Sequence, residues 1–201
     1  MADKNEIKSW LEKGTDDSKS LVGMKWKIEE GDNYMVLMNE KVPFVIYMAY
    51  FDNYLEIFMK TGIETAVMEN QPRLAVYRSL LILNRQVDLV KFMIDGMNEE
   101  IVLRADFEIS SFTREELEDA LNILLSSMYV LVRTLKLEDQ FNRIISERMF
   151  MMVQEMLDQG KSAEDVKNYL VTKVGLSNED AEQVVNKLTA KKGGVSTGMY
   201  A

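Results

Sequence analysis

Residues 34–59, YMVLMNEKVPFVIYMAYFDNYLEIFM, hold three apolar runs separated by Asn39-Glu40-Lys41 and by Asp52-Asn53. Asn and Asp side chains bond to nearby backbone and tolerate the positive φ of a tight turn, so each break reads as a hairpin and each run as a strand. Tyr34 to Met38, Pro43 to Phe51 and Tyr54 to Met59 are therefore expected to form three consecutive antiparallel strands. The middle one is unusual because both of its alternating sets are apolar. Phe44, Ile46, Met48 and Tyr50 point one way, and Val45, Tyr47, Ala49 and Phe51 point the other. Such a strand calls for cover on both faces.

Upstream of this stretch, Met24, Trp26 and Ile28 alternate with Lys25, Lys27 and Glu29, which predicts a further strand with one wet face, closed by a turn at Gly31-Asp32. Before it, Asp3 and Glu6 form a capping pair ahead of Ile7, Trp10 and Leu11, a short helix that ends near Gly14. Downstream, Gln71-Pro72 opens a helix on which Leu74, Tyr77, Leu81 and Asn84 share a face that Val76, Leu80 and Leu83 widen. This helix is expected to lie on the sheet. Val90, Phe92 and Ile94 alternate, Gly96 turns the chain, and Ile101, Leu103, Ala105 and Phe107 alternate again. Thr113 and Glu116 make a capping box, after which Leu117, Leu121, Leu124, Met128, Leu131 and Leu135 recur at four-three spacing. The expected fold is α+β, an antiparallel sheet in the order α-β-β-β-β-α-β-β-α over residues 1–137.

The passage YRSLLILNRQVDLVKFMIDGMNEEIVLRADFEISSFTREELEDALNILLSSM, residues 77–128, resembles the YbjN family, whose fold is shared with the class I type III secretion chaperones. The resemblance rests on Leu83-Asn84 closing a helix, Lys91-Phe92 in the next strand, and Ile101-Val102-Leu103-Arg104 before a capped acidic helix. An extra strand in the first sheet segment departs from the pattern. The resemblance implies an antiparallel sheet with helices on one face, a tendency to homodimerise, and no catalytic residues to carry over. Fold alone does not imply secretion.

After Leu137 the strand pattern stops. Phe141, Ile144, Ile145, Met149, Met152, Val153 and Met156 form a helical stripe to about Gly160, the start of a C-terminal helical unit over residues 138–190. Ser162 with Asp165 and Ser177 with Asp180 are capping candidates for two further helices, joined by a turn at Gly175 and carrying Val166, Tyr169 and Leu170, then Ala181, Val184, Val185 and Leu188. This pair resembles small helical hairpins and ubiquitin-associated-like bundles, with residues generic to capped helices. Residues 191–201, beginning Lys191-Lys192-Gly193, are expected to be a disordered tail.

Composition narrows the function. The 201 residues carry a net charge of −9, with 47% hydrophobic residues and neither Cys nor His. A folded globular chain of this charge is a poor binder of phosphate backbones, which demand clustered Lys and Arg. The run from Val45 to Phe51 is far too short to span a bilayer, and the charged first residues lack a signal-peptide core, so a cytoplasmic location is expected with no membrane partner. The commonest general base, the commonest metal ligand, disulfides and thiolate sites are all removed. No cofactor and no catalytic residue is assigned. Glu115, Glu116, Glu118 and Asp119 form an acidic cluster at the start of a helix, where carboxylates complement the helix dipole without any metal.

The candidate interaction surface comprises Tyr47, Phe51, Tyr54 and Phe58 on the strands, Met128, Leu131 and Leu135 on the long helix, and Met151, Met152 and Met156 beyond it. Core packing is the simpler reading for the aromatics, and a well-filled core for the methionines, although flexible thioethers also suit an adaptable surface. The expected function is a non-enzymatic, homodimeric interaction or chaperone-like module that binds a protein partner. The alternatives are a carboxylate-metal hydrolase and a purely structural oligomerisation protein.

Overall fold

A computed structural model gives the structure and describes residues 3–174 and 177–193. The chain divides into two compact units, residues 1–138 and 139–201. The first is α+β. It begins with α1 (Lys4–Glu12), whose N-terminus is capped by the Asp3 carboxylate accepting from Glu6 N–H, and continues through β1 (Lys27–Glu30), β2 (Tyr34–Asn39), β3 (Val42–Tyr50) and β4 (Tyr54–Glu64). Then follow α2 (Asn70–Gln86), β5 (Lys91–Asp95), β6 (Glu100–Glu108) and α3 (Arg114–Thr134). The six strands form one antiparallel sheet in the order β1-β2-β3-β4-β6-β5.

Alternation of side chains gives this sheet two faces. On the inner one Met35, Leu37, Ile46, Met48, Leu55, Ile57, Met59, Phe92, Ile101, Leu103 and Ala105 are buried. The core continues through Ile7 and Leu11 of α1, Leu80 and Leu83 of α2, and Leu117, Leu121, Leu124, Met128 and Leu131 of α3. The four-three stripe of α3 is thus core up to Leu131, with Leu135 half-buried at the helix C-cap.

Two elements differ from the sequence reading. The chain around Met24 and Trp26 is not strand. Trp26 is buried ahead of β1, its indole N–H donating to Leu21 O at 2.8 Å. β4 runs beyond Met59 to Glu64 because Thr61-Gly62-Ile63 is a bulge rather than an end: the pairing with β6 shifts between Lys60 and Glu64, and Gly62 takes φ +73°. Thr61 hydroxyl donates to Ile101 O at 2.8 Å, and Gly62 N–H donates to the Glu100 carboxylate at 2.9 Å. Three residues of β4 stand against Ile101 alone, and the two extra residues are held, not looped out.

The orientation of α2 also differs. Its buried residues are Leu80 and Leu83, while Leu74 and Leu81, expected on the sheet side, are exposed. Polar anchors fix this rotation. Asn84 side-chain amide donates to Phe92 O at 3.0 Å and accepts Phe92 N–H at 2.8 Å, satisfying the edge-strand backbone of β5 as a neighbouring strand would. At the other end, Tyr77 hydroxyl donates to the Glu99 carboxylate, which also accepts from Thr65 and pairs with Arg73 at 3.7 Å.

The second unit is helical, with α4 (Glu138–Asp158), α5 (Ala163–Tyr169), a π-helical turn (Leu170–Val174) and α6 (Asn178–Gly193). Ser162 and Asp165 form the expected capping box. Val153, Met156, Val166, Leu170, Ala181 and Val185 make its small core. α6 extends through Gly193, so the segment from Lys191 is helical at its start; residues 194–201 and the turn at Gly175 lie outside the described residues.

Candidate functional site

The outer face of the sheet is built from the other alternating set. Pairing places Val36 opposite Tyr47, Tyr47 opposite Phe58, Phe58 opposite Arg104 and Arg104 opposite Lys91, a continuous row across five strands. The adjacent row is Tyr34, Ala49, Glu56 and Asp106. Tyr47 and Phe58 stack with centroids 5.1 Å apart and planes inclined by 12°. At the β3–β4 hairpin Phe51 and Tyr54 stack at 4.4 Å and 10°. The four candidate aromatics are therefore assembled on one face of the β3–β4 hairpin, brought together by its register.

This face has two halves. Over β2, β3 and the start of β4 it is aromatic and aliphatic, with Val36, Val45, Tyr47, Ala49 and Phe58 half-buried and Tyr34, Phe51 and Tyr54 more than 40% exposed. Over β4 and β6 it is ionic, because Arg104 reaches Glu56 and Asp106, each at 3.0 Å. The guanidinium is committed to two carboxylates. It is not a free anion receptor, and no side chain in this row is a nucleophile beside a base.

The remaining candidates are dispersed. Met128 and Leu131 are 2% and 0% exposed, spent in the core under α3, because the four-three stripe that would suit an interhelical seam faces the chain's own sheet instead. Met156 is buried in the core of the second unit, Met151 is exposed on α4, and the side chain of Met152 lies outside the described residues.

The acidic cluster at the start of α3 also separates. Glu116 completes the capping box with Thr113, while Glu115 and Asp119 are exposed. Glu118 does something the sequence reading missed. Its carboxylate accepts from Ser20 hydroxyl at 2.7 Å, Leu21 N–H at 3.0 Å and Val22 N–H at 2.7 Å, locking the loop between α1 and β1 onto α3. Burial pushes this carboxyl upward, but the bonds from Val22, Ser20, Leu21 and Asn122 outweigh it and hold the group below its ordinary value. Nothing local could have revealed this, since the partners are 96 to 98 residues away. Among the described residues no group of three or more carboxylates could hold a metal ion, and no helix is long and apolar enough to cross a membrane.

Residues 6–135 match a family described as a domain of unknown function, DUF8183. The chain belongs to the DUF8183 family. Residues 136–200 match a second domain of unknown function, HTH_78. Solved structures that resemble the chain include YbjN from E. coli, 14% identical with a TM-score of 0.48, covering 69% of this chain and 93% of that one. They also include an uncharacterized protein from Methanothermobacter thermautotrophicus, 14% identical with a TM-score of 0.48, covering 67% of this chain and 97% of that one. No curated protein matches the chain.

Proposed function

We propose that this DUF8183 chain is a non-enzymatic interaction module that homodimerises, or binds a protein partner, through the aromatic outer face of its sheet. The observation that carries the reading is the pair of stacks, Tyr47 on Phe58 and Phe51 on Tyr54, on the side opposite the buried inner face. Rigid aromatics supply large contact area at low entropic cost, and an aromatic centre beside a polar rim is the usual composition of an interface. The ionic rim of Arg104, Glu56 and Asp106 would set register rather than affinity. Hydroxyl-radical footprinting across a dilution series tests this. Tyr34, Phe51 and Tyr54 are expected to be protected in concentrated solution and labelled on dilution, while Tyr129 on α3 stays labelled throughout. Equal labelling of all four at every concentration would remove the dimer, and equal labelling with a bound partner would remove the face.

A second reading comes from the name of the C-terminal match, which points to a helix-turn-helix. In such a motif the first residues of the second helix meet base edges. Here α6 opens Asn178-Glu179-Asp180, with Glu182 a turn later, in a chain of net charge −9. Carboxylates at that position repel the phosphate backbone. The helical unit is accordingly read as a protein-binding hairpin, and tight salt-sensitive binding of a random DNA duplex would reverse that reading.

A further inference from the structure

A different surface, on the helix-bearing side of the sheet, has its own chemistry. α2 buries Leu80 and Leu83, and its opposite flank presents Leu74, Arg78, Leu81, Ile82 and Arg85. These positions are spaced i, i+4, i+7, i+8 and i+11, so they form one continuous strip along the helix. Leu74, Leu81 and Ile82 are 58%, 72% and 47% exposed. Arg78 and Arg85 are exposed too, and among the described residues neither enters an ion pair or a side-chain hydrogen bond. α2 contains three arginines and no carboxylate, against a chain total of 33 acidic and 24 basic residues. The third, Arg73, is committed to Glu99 and Asn70.

We infer that this strip is the docking site of an acidic amphipathic helix belonging to another protein. The apolar positions match a helix laid along α2, and the two guanidinium groups between them, unpaired among the described residues, select carboxylates on its flanks. Charge decides against the other occupants. A second copy whose α2 crosses antiparallel at Leu81-Ile82, the centre of the exposed apolar positions, sets Arg78 beside Arg85 of its mate, a like-charge juxtaposition. An anionic membrane surface calls for a cluster of about four to eight basic residues, and two arginines on a chain of net charge −9 fall short. The strip is also pre-ordered. The Asn84 clamp on Phe92 and the Tyr77 bond to Glu99 fix the rotation of α2, so little ordering is left for the moment of binding.

The test is selection on the full chain from a display library of short amphipathic helices with a fixed leucine stripe and polar positions drawn from Glu, Lys and Ser. Glu-rich helices are expected to be enriched. A selected helix should bind about tenfold or more weakly to the Arg78→Glu, Arg85→Glu double variant, and weakly to Leu81→Ser, with affinity falling as salt rises. Its binding should be unaffected by Tyr47→Ser with Phe58→Ser, which separates this site from the outer sheet face. All substituted strip residues are exposed, so the variants should melt as the parent does. Absence of enrichment, enrichment of Lys-rich helices, or binding that survives the α2 substitutions would overturn the proposal. Sedimentation with phosphatidylserine vesicles, lost in the same arginine variant, would replace it with a membrane surface.

Discussion

The two faces of the sheet start from similar material and end differently. Inner positions such as Ile46, Met48, Leu55, Ile57 and Leu103 are aliphatic and buried in a core shared with the helices. Outer positions keep an apolar majority over β2 and β3, but use Tyr34, Tyr47, Phe51, Tyr54 and Phe58 where the inner face uses Ile, Leu and Met. Aromatic rings that stack on one another, and hydroxyls that accept water at the ring edge, make an apolar face tolerable in solvent and available for a partner. Hydrophobicity alone does not separate the inner face from the outer one. Residue shape and cross-strand neighbours do.

That contrast can be broken by substitution. Ile57→Ala on the inner face should cost about 2–5 kcal/mol in chemical denaturation, because it opens a cavity in a closed core. Phe58→Ala, its sequence neighbour on the outer face, should cost about 1 kcal/mol, since that ring is only half-buried and its stack on Tyr47 is what the change removes. Equal losses would mean that the two faces are energetically alike.

Between those extremes lies the loop latch. Glu118→Gln should cost about 1–3 kcal/mol, as a charged acceptor of two backbone N–H groups and a hydroxyl is replaced by a neutral one. The Glu118 carboxyl sits below its ordinary value of 4.5 in the folded chain, so its stabilisation is complete above that value and is lost as the pH falls through the folded one. Parent and Glu118→Gln should therefore converge in stability on acidification. A constant gap from neutral to strongly acidic pH would show that the carboxylate charge is not what holds the loop. Glu115→Gln, exposed in the same helical turn, should change stability by only a few tenths of a kcal/mol, the ordinary effect of one charge near a helix N-terminus.

The legible parts of the fold are those with local causes. The order of strands and helices follows from alternation and turn residues, and the α3 capping box from Thr113 and Glu116 three positions apart. The two-sided apolar pattern of β3 announced a face whose cover the strand itself does not specify. What escaped was set by distant partners or by backbone irregularity. The alternation ends at Met59, yet Thr61 hydroxyl on the Ile101 carbonyl and Gly62 N–H on the Glu100 carboxylate hold the next residues in the sheet as a bulge. The rotation of α2 could not be read from its leucines, which surround the helix; Asn84, Tyr77 and their partners on β5 and the β5–β6 turn decide it. In the candidate site, the four strand aromatics were brought together by register, whereas Met128 and Leu131 shared their spacing with a seam but faced the core.

If the outer aromatic face joins one chain to another and adds little to the fold, removing its central stack should separate the chains and leave each of them folded. Sedimentation equilibrium of the parent chain and of a Tyr47→Ser, Phe58→Ser double variant, with chemical denaturation of both, reads out the two effects. The parent is expected to be dimeric, and the variant monomeric and still cooperatively unfolding. A parent that is monomeric at every concentration, or a variant that stays dimeric, would contradict it.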